Sequence, residues 1–393
     1  VQGRELFALL ASFLGEQAEP ESEYERRLRL TPGVRAQPRW AEVEQAGAAL
    51  TLHYQAVEEG LADLLRQLES VGPAAVLDYE GLEARLSAVQ MQLAGQRQQL
   101  DGAVANPQPQ TIYWASLSPQ GAAALAGAPL EVAPLLKKQL FDQKQTILTS
   151  ATLSTEGTFE YLKGRLGLEA PRELLLDSPF DYRAAALLCV PRDMPEPAAA
   201  AHPEALAHAL ADIAVAARGR TLALFTSHAS LRAAREALEP RLRQQGIAVL
   251  AQGVNGPAAQ LLARFKEGPA TLLLGTSSFW EGVDVAGEAL SVVVVVRLPF
   301  AVPTDPVFAA RSELFEDPFN NYALPQAVLR FKQGFGRLIR RRTDRGVVVV
   351  LDRRILARAY GRAFLQSVPP CSMARPALSQ VGEAVRSWLE GRP

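Results

Sequence analysis

An α/β fold on a parallel sheet, preceded by a helical hairpin, is what this 393-residue chain predicts. Two observations carry that expectation. After residue 110, short runs rich in Val and Leu recur without apolar–polar alternation, and helical patterns lie between them. Before it, apolar residues return at steps of three and four. Unbroken apolar runs mark strands buried on both faces, and their alternation with helices is the βαβ rhythm of a sheet covered by helices.

Val1 is not an initiator methionine, and the chain enters directly on the apolar-periodic stretch "ELFALLASFL", as a processed or trimmed chain would. From Trp40 the apolar residues Val43, Ala46, Leu50, Tyr54, Val57, Leu61, Leu64 and Leu68 share one helix face. "SVGPAA" interrupts the pattern, which resumes at Leu82, Leu86, Val89, Leu93 and Leu100. Two long helices folded back on each other are therefore expected. "NPQPQ" (106–110) ends them, because each proline disfavours helix at the residue before it.

Strands are then predicted at "TILTS" (146–150), "TLALFTS" (221–227), "IAVL" (247–250), "TLLLGTS" (271–277), "SVVVVV" (291–296) and "GVVVVLD" (346–352). Helices are expected over 229–245 and 257–267, and the proline-rich stretch 178–203 reads as a hinge. Ligands of such sheets bind beyond the carboxyl ends of the strands. There this chain offers Thr149-Ser150, Thr226-Ser227, Thr276-Ser277 and Asp352.

Composition narrows the class. Hydrophobic residues at 48% and charged residues at 21%, with a formal net charge of -1, describe a globular chain and exclude a uniformly basic binder. Cys189 and Cys371 are too few for a disulfide framework and lack zinc or iron–sulfur spacing, which suits a reducing cytoplasm. "LSVVVVVRLPF" stops at Arg297, far short of the ~18 apolar residues of a membrane span. The four histidines have no ligand-like spacing.

Chemistry concentrates in "FKQGFGRLIRRR" (331–342). On one helix, Gln333, Arg337 and Arg340 stand at i, i+4 and i+7 and share a face, a receptor for phosphate oxygens. Gly334 and Gly336 imply a close approach by another group, while Arg341 and Arg342 read as a solvated stripe. "GTSSFWEGVDVAG" (275–287) sets Glu281 and Asp284 around Gly282, where they can hold a ribose hydroxyl or a metal-bound phosphate, or merely cap a turn. "TSATL" (149–153) and "LFTSH" (224–228) are each no more than a turn or helix cap when taken alone. Trp280 reads as core before it reads as a stacking platform.

The order of TSATL, LFTSH, Gln252-Gly253, GTSSFWEGVD and QGFGRLIR resembles motifs III to VI of superfamily 2 helicases, and more narrowly the DinG/XPD-type group. "SPFDYR", "VPRDMPEP" and "RLPFAVPTDP" resemble its bacterial DinG-like members, and "RLRLTPGVRAQPRW" with the helical hairpin resembles their arch. No GxxxxGK[ST] loop and no DExH box occur in the chain. The resemblance therefore implies an arch over 1–110, the edge of motor domain 1 with motif III over 111–180, and a RecA-like motor domain 2 over 181–393. ATP and Mg2+ would be bound mainly by an upstream motor domain of the same protein, and no iron–sulfur cluster would lie in this chain. Arg337, Arg340 and Gln333 would act on the nucleotide, with Arg340 as arginine finger. Glu281, Gly282 and Asp284 would couple nucleotide to nucleic acid, and Ser150 and Thr152 would relay between motors. Thr226, Ser227, Thr276 and Ser277 would face phosphates of single-stranded DNA. The implied whole is an ATP-dependent 5′–3′ DNA helicase, with this chain inactive alone and no membrane partner. The alternatives are a motor-dead nucleic-acid binder and a scaffold whose hairpin docks a protein.

Overall fold

The computed structural model describes residues 2–16, 25–155, 157–268, 270–280 and 289–391. They form two compact units, one of Val1–Val132 with Val302–Glu316, the other of Ala133–Ala301 with Asp317–Pro393.

In the first unit, α1 (Gln2–Glu16), α2 (Trp40–Val71) and α3 (Tyr79–Val104) pack with a three-stranded antiparallel sheet. Its strands are β1 (Arg26–Arg29), β2 (Thr111–Leu117) and β3 (Ala123–Pro129), in that order. The expected hairpin is present as α2 and α3, closed by Arg97 Nε on Glu58 Oε1 at 2.9 Å. At its base Gly47 lets the helices meet, since a Cβ there would lie 2.7 Å from Val104 Cγ1. Leu6, Leu10, Phe13, Trp40, Val43 and Tyr113 form the core beneath, and Trp40 donates its indole N–H to the Val104 carbonyl at 3.2 Å. The helix Pro306–Ser312 returns to this unit, where Arg311 donates to the carbonyls of Pro129 and Leu130 at 3.0 and 3.1 Å.

The second unit is the α/β body. Its elements are β4 (Ala186–Cys189), α4 (His202–Ala216), β5 (Thr221–Leu224), α5 (His228–Arg243), β6 (Ala248–Ala251), α6 (Ala258–Glu267), β7 (Thr271–Gly275), β8 (Val292–Val295), α7 (Leu324–Phe335), β9 (Gly346–Val350), β10 (Ser372–Ala374) and α8 (Val381–Leu389). The strands run β10-β4-β9-β8-β5-β7-β6, all parallel. Alternate residues of each central strand enter different cores. Leu222, Leu224, Val293 and Val348 meet Phe331 and Phe335 on one face, while Ala223, Val292, Val294 and Val347 meet Leu210, Ile213 and Val385 on the other. That double burial is why the sequence shows unbroken apolar runs. Cys189 is sealed in β4, and burial pushes its thiol pKa up to about 12, an inert group.

Two sequence expectations need correction. Residues 145–150 are not a strand: they pair with none among the described residues, and Ile147 is 92% exposed. A run apolar on both faces becomes a strand only when neighbouring strands supply both ladders. Conversely, the stretch read as a hinge contains β4, hidden because only five apolar residues stand between a helical turn and Pro191.

Beyond β8, the loop "RLPF" is pinned from below. Asp352, fully buried at the end of β9, accepts the Leu298 amide at 2.9 Å and a two-toothed pair from Arg354 at 2.6 and 2.9 Å. Burial alone would raise this carboxyl, but Arg354 and the two amides outweigh it and hold its pKa below the ordinary value.

Candidate nucleotide and nucleic-acid site

Strands β5, β6 and β7 end side by side at one edge of the sheet, and three of the motifs begin there. After β5 the chain passes Phe225 and half-buried Thr226 to Ser227, whose extended backbone starts α5. Ser227 Oγ caps that helix by accepting the Ser230 amide at 3.1 Å, leaving its own proton to donate. Thr276, one residue beyond β7, is different. Its N–H and its hydroxyl both go to Gln252 Oε1, at 2.8 and 3.0 Å, and it is 4% exposed. The expectation of a phosphate contact by Thr276 therefore needs correction, because neither donor is left. Ser277 next to it is exposed.

His228 completes this knot, with Nε2 3.1 Å from Thr276 Oγ1. The Thr276 proton is committed to Gln252, so His228 must be the donor, protonated on Nε2. Burial, and then Arg232 on the same helix, lower its pKa, which keeps the ring neutral near pH 7. Gln252 Nε2 donates in turn to Ser278 Oγ at 2.8 Å. From the sequence, His228 is expected to have only a structural or surface role, and here it supports Thr276. The available signal was its place directly after the capping serine, which sets it in the first turn of α5 beside β7.

Helix α7 carries the second cluster. Gly334 is there because Trp280 is: a Cβ would lie 3.0 Å from the indole and 3.2 Å from Leu224. Trp280 is core, as expected, with its N–H on the Phe225 carbonyl at 3.1 Å. Its own carbonyl accepts Arg337 Nη2 at 2.9 Å, which joins the two motifs. The single helix face expected for Gln333, Arg337 and Arg340 does not exist, because α7 stops at Phe335 with Gly336 as its cap. Two glycines in three residues weaken the last turn. The chain then turns so that the amides of Arg340 and Arg341 both donate to Asp344 Oδ2 at 2.8 Å. Arg340 stands exposed on this turn. Gln333 Oε1 is buried without a hydrogen-bond partner among the described residues, so a ligand group that donates to it would fit this face.

Ser150 and Thr152 engage each other, with hydroxyls 3.2 Å apart and the Thr152 amide on Ser150 Oγ at 3.2 Å. Glu281, Gly282 and Asp284 lie outside the described residues.

The family model described as the helicase C-terminal domain matches residues 210–371, a span that contains every site segment except 149–154. DinG of Bacillus subtilis, named a 3′-5′ exonuclease, is 39% identical over 66% of this chain and 30% of its own length. The ATP-dependent DNA helicase YoaA of Escherichia coli is 42% identical over 71% of this chain and 43% of its own length. The ATP-dependent helicase DinG of Mycobacterium tuberculosis is 41% identical over 63% and 38%. The chain is similar to these DinG and YoaA proteins over the aligned stretches and carries a match to the helicase C-terminal domain. The aligned parts span less than half the length of these relatives. An apo XPD structure superposes with a TM-score of 0.51 at 17% identity, covering 77% of this chain and 63% of its own, a likeness of fold. The chain has a RecA-like parallel sheet and an N-terminal helical region. Among the described residues no three His, Cys, Asp or Glu gather as a metal site, and no helix is long and apolar enough to cross a membrane.

Proposed function

We propose that this chain is the nucleic-acid-binding and arginine-supplying portion of an ATP-dependent DNA helicase that moves 5′ to 3′ on single-stranded DNA. The observation that carries the reading is the bond from Arg337 to the Trp280 carbonyl. It joins the arginine motif to the segment that begins at Ser277 on the sheet's carboxyl edge, so a change at either is felt by the other.

On this reading Thr226, Ser227 and Ser277 face the phosphates of the strand, while Thr276, Gln252 and His228 form the scaffold that holds them. Phosphate contacts by hydroxyls and amides carry no sequence information, so binding is sequence-tolerant and weakens with salt. Gln333, Arg337 and Arg340 face a nucleotide whose cradle and Mg2+ carboxylate come from a preceding motor domain, since the chain has neither a GxxxxGK[ST] loop nor a DExH box. When bound, Mg2+–ATP supplies the phosphoryl group, and the arginines stabilise the charge that develops as it leaves. Glu281, Gly282 and Asp284 keep their proposed coupling role, as do Ser150 and Thr152. Residues 111–180 keep their proposed place at the edge of the first motor domain, whose sheet would take up the exposed runs around Ile147 and Leu174–Leu176.

The test compares ATP turnover by the protein with its preceding motor domain and by this chain alone, each with and without single-stranded DNA. DNA-stimulated turnover by the longer protein only, with unwinding of forks bearing a 5′ tail, is expected. Salt-sensitive DNA binding without turnover in the longer protein would establish the motor-dead reading instead. A separate role in docking a protein is favoured by Val57, Leu64 and Val71, which stand exposed at steps of seven along α2.

A further inference from the structure

Lys332 precedes Gln333 on α7 and is half buried. Among the described residues it has no carboxylate partner. Its Nζ instead donates to two oxygens of one residue, the carbonyl and the hydroxyl of Ser154, each at 3.2 Å. Ser154 is buried and comes immediately after TSATL, 178 positions away in sequence. Burial lowers the pKa of this amine. A half-buried ammonium held, among the described residues, by neutral oxygens is a costly arrangement, whereas a surface lysine would reach water freely.

The segment it grips has little else to define it. Residues 145–154 join no sheet, and the bonds within it are local: Ser150 with Thr152, then a turn in which Thr155 and Thr158 exchange amide bonds at 3.0 and 2.9 Å. The helix that follows (Glu160–Leu166) is anchored separately, by Arg165 stacked 5.3 Å over the Tyr322 ring. Lys332 therefore acts on 150–154 and not on that helix.

We infer that Lys332 is a positioning residue that latches the Ser150–Ser154 segment to the Gln333–Arg337 end of α7, so that both shift together when nucleotide binds. Neither Lys332 nor Ser154 needs to touch the nucleotide. The latch itself stands on geometry, while its consequence for turnover rests on the function proposed above. A hydrogen bond to a charged group is strong enough to bias the segment by roughly tenfold or more.

The experiment has two arms. In the full chain, amide hydrogen exchange at 151–155 is compared between wild type and Lys332→Met, which keeps much of the stem and removes the donor. Exchange is expected to speed up roughly tenfold there, in line with that hydrogen-bond energy, and to stay unchanged at 160–166 and in β8 and β9. Unchanged exchange at 151–155 would overturn the latch. In the protein with its preceding motor domain, the same variant should lower DNA-stimulated kcat with little change in KM for ATP or in DNA affinity, and Lys332→Arg should recover part of the loss. Faster exchange with unaltered kcat would reduce Lys332 to a local support and overturn the coupling. A longer protein with no turnover at all would sink the motor reading while the exchange arm still judged the latch. Should Lys332→Met fail to fold, Ser154→Ala removes one acceptor and keeps the carbonyl. A smaller exchange change in the same direction is expected, and none would overturn the inference.

Discussion

Arg340 reaches solvent from a turn, not from a helix, and what fixes its backbone is the Asp344 carboxylate beneath two consecutive amides. That changes the reason for separating it from its neighbours. A helical angle no longer distinguishes Arg340 from Arg342, but the tie to Asp344 does, because it sets the direction of residues 340 and 341 and leaves Arg342 outside it. In the protein with its preceding motor domain, Arg340→Ala should reduce DNA-stimulated turnover by about 10³–10⁵, the usual worth of an arginine finger. Arg342→Ala should be nearly neutral, and both should keep stability within about 0.5 kcal/mol, as exposed residues do. Steady-state ATPase rates with thermal melts decide it: equal losses of turnover, or unfolding by Arg340→Ala, would remove the finger assignment. A spacing singled out Gln333, Arg337 and Arg340 in the sequence, but the helix face that it implied ends at Phe335. What each atom is bonded to was not legible there. Thr276 and Ser277 look alike as letters, yet one is buried with both donors on Gln252 and the other is exposed.

Elements were legible where one face or both are buried within this chain. The Val-rich runs gave β8 and β9 because there local pattern and tertiary burial agree, whereas the apolar period of α2 and α3 gave a hairpin even though Val57, Leu64 and Val89 on it stand exposed. The antiparallel strands β1 to β3 escaped notice because β1 is four residues of arginine and leucine and β3 is nearly all Ala and Gly. Glycines inside α2 offer an element-scale test of what the period cannot tell. Gly47 and Gly60 occupy the same helix, but a Cβ at 47 would lie 2.7 Å from Val104 while one at 60 meets nothing within 4 Å. Gly47→Ala should therefore push α2 off α3 and destabilise the first unit by about 1–3 kcal/mol, an overpacking cost. Gly60→Ala should stabilise it by roughly 0.5–1 kcal/mol through helix propensity and lost chain entropy. Urea unfolding followed by circular dichroism measures both. Stabilisation by both substitutions would mean that the base of the hairpin is looser than drawn.

At the scale of the molecule, the second unit contains one complete sheet and the outlines of something unfinished. Seven parallel strands bury their own cores on both faces. The runs 145–150 and 172–178, by contrast, hold Ile147 and Leu174–Leu176 in water, more than half exposed in each case. Apolar side chains left in water forgo roughly 1.5–3 kcal/mol each relative to full burial. The sequence pattern of 146–150 was a strand's pattern, and its failure to form one is a statement about missing neighbours rather than about propensity. If a preceding motor domain supplies those neighbours, amides at 145–150 should exchange freely in this chain and be protected by orders of magnitude in the longer protein. The substitution Ile147→Asp sharpens the test. In this chain it alters an exposed residue and should move stability by no more than about 0.5 kcal/mol. In the longer protein it would place an unpaired carboxylate in a sheet, which costs several kcal/mol, and DNA-stimulated turnover should fall with it. Equal tolerance of Ile147→Asp in both, with fast exchange in both, would show that these runs stay exposed and that motor domain 1 does not extend to them.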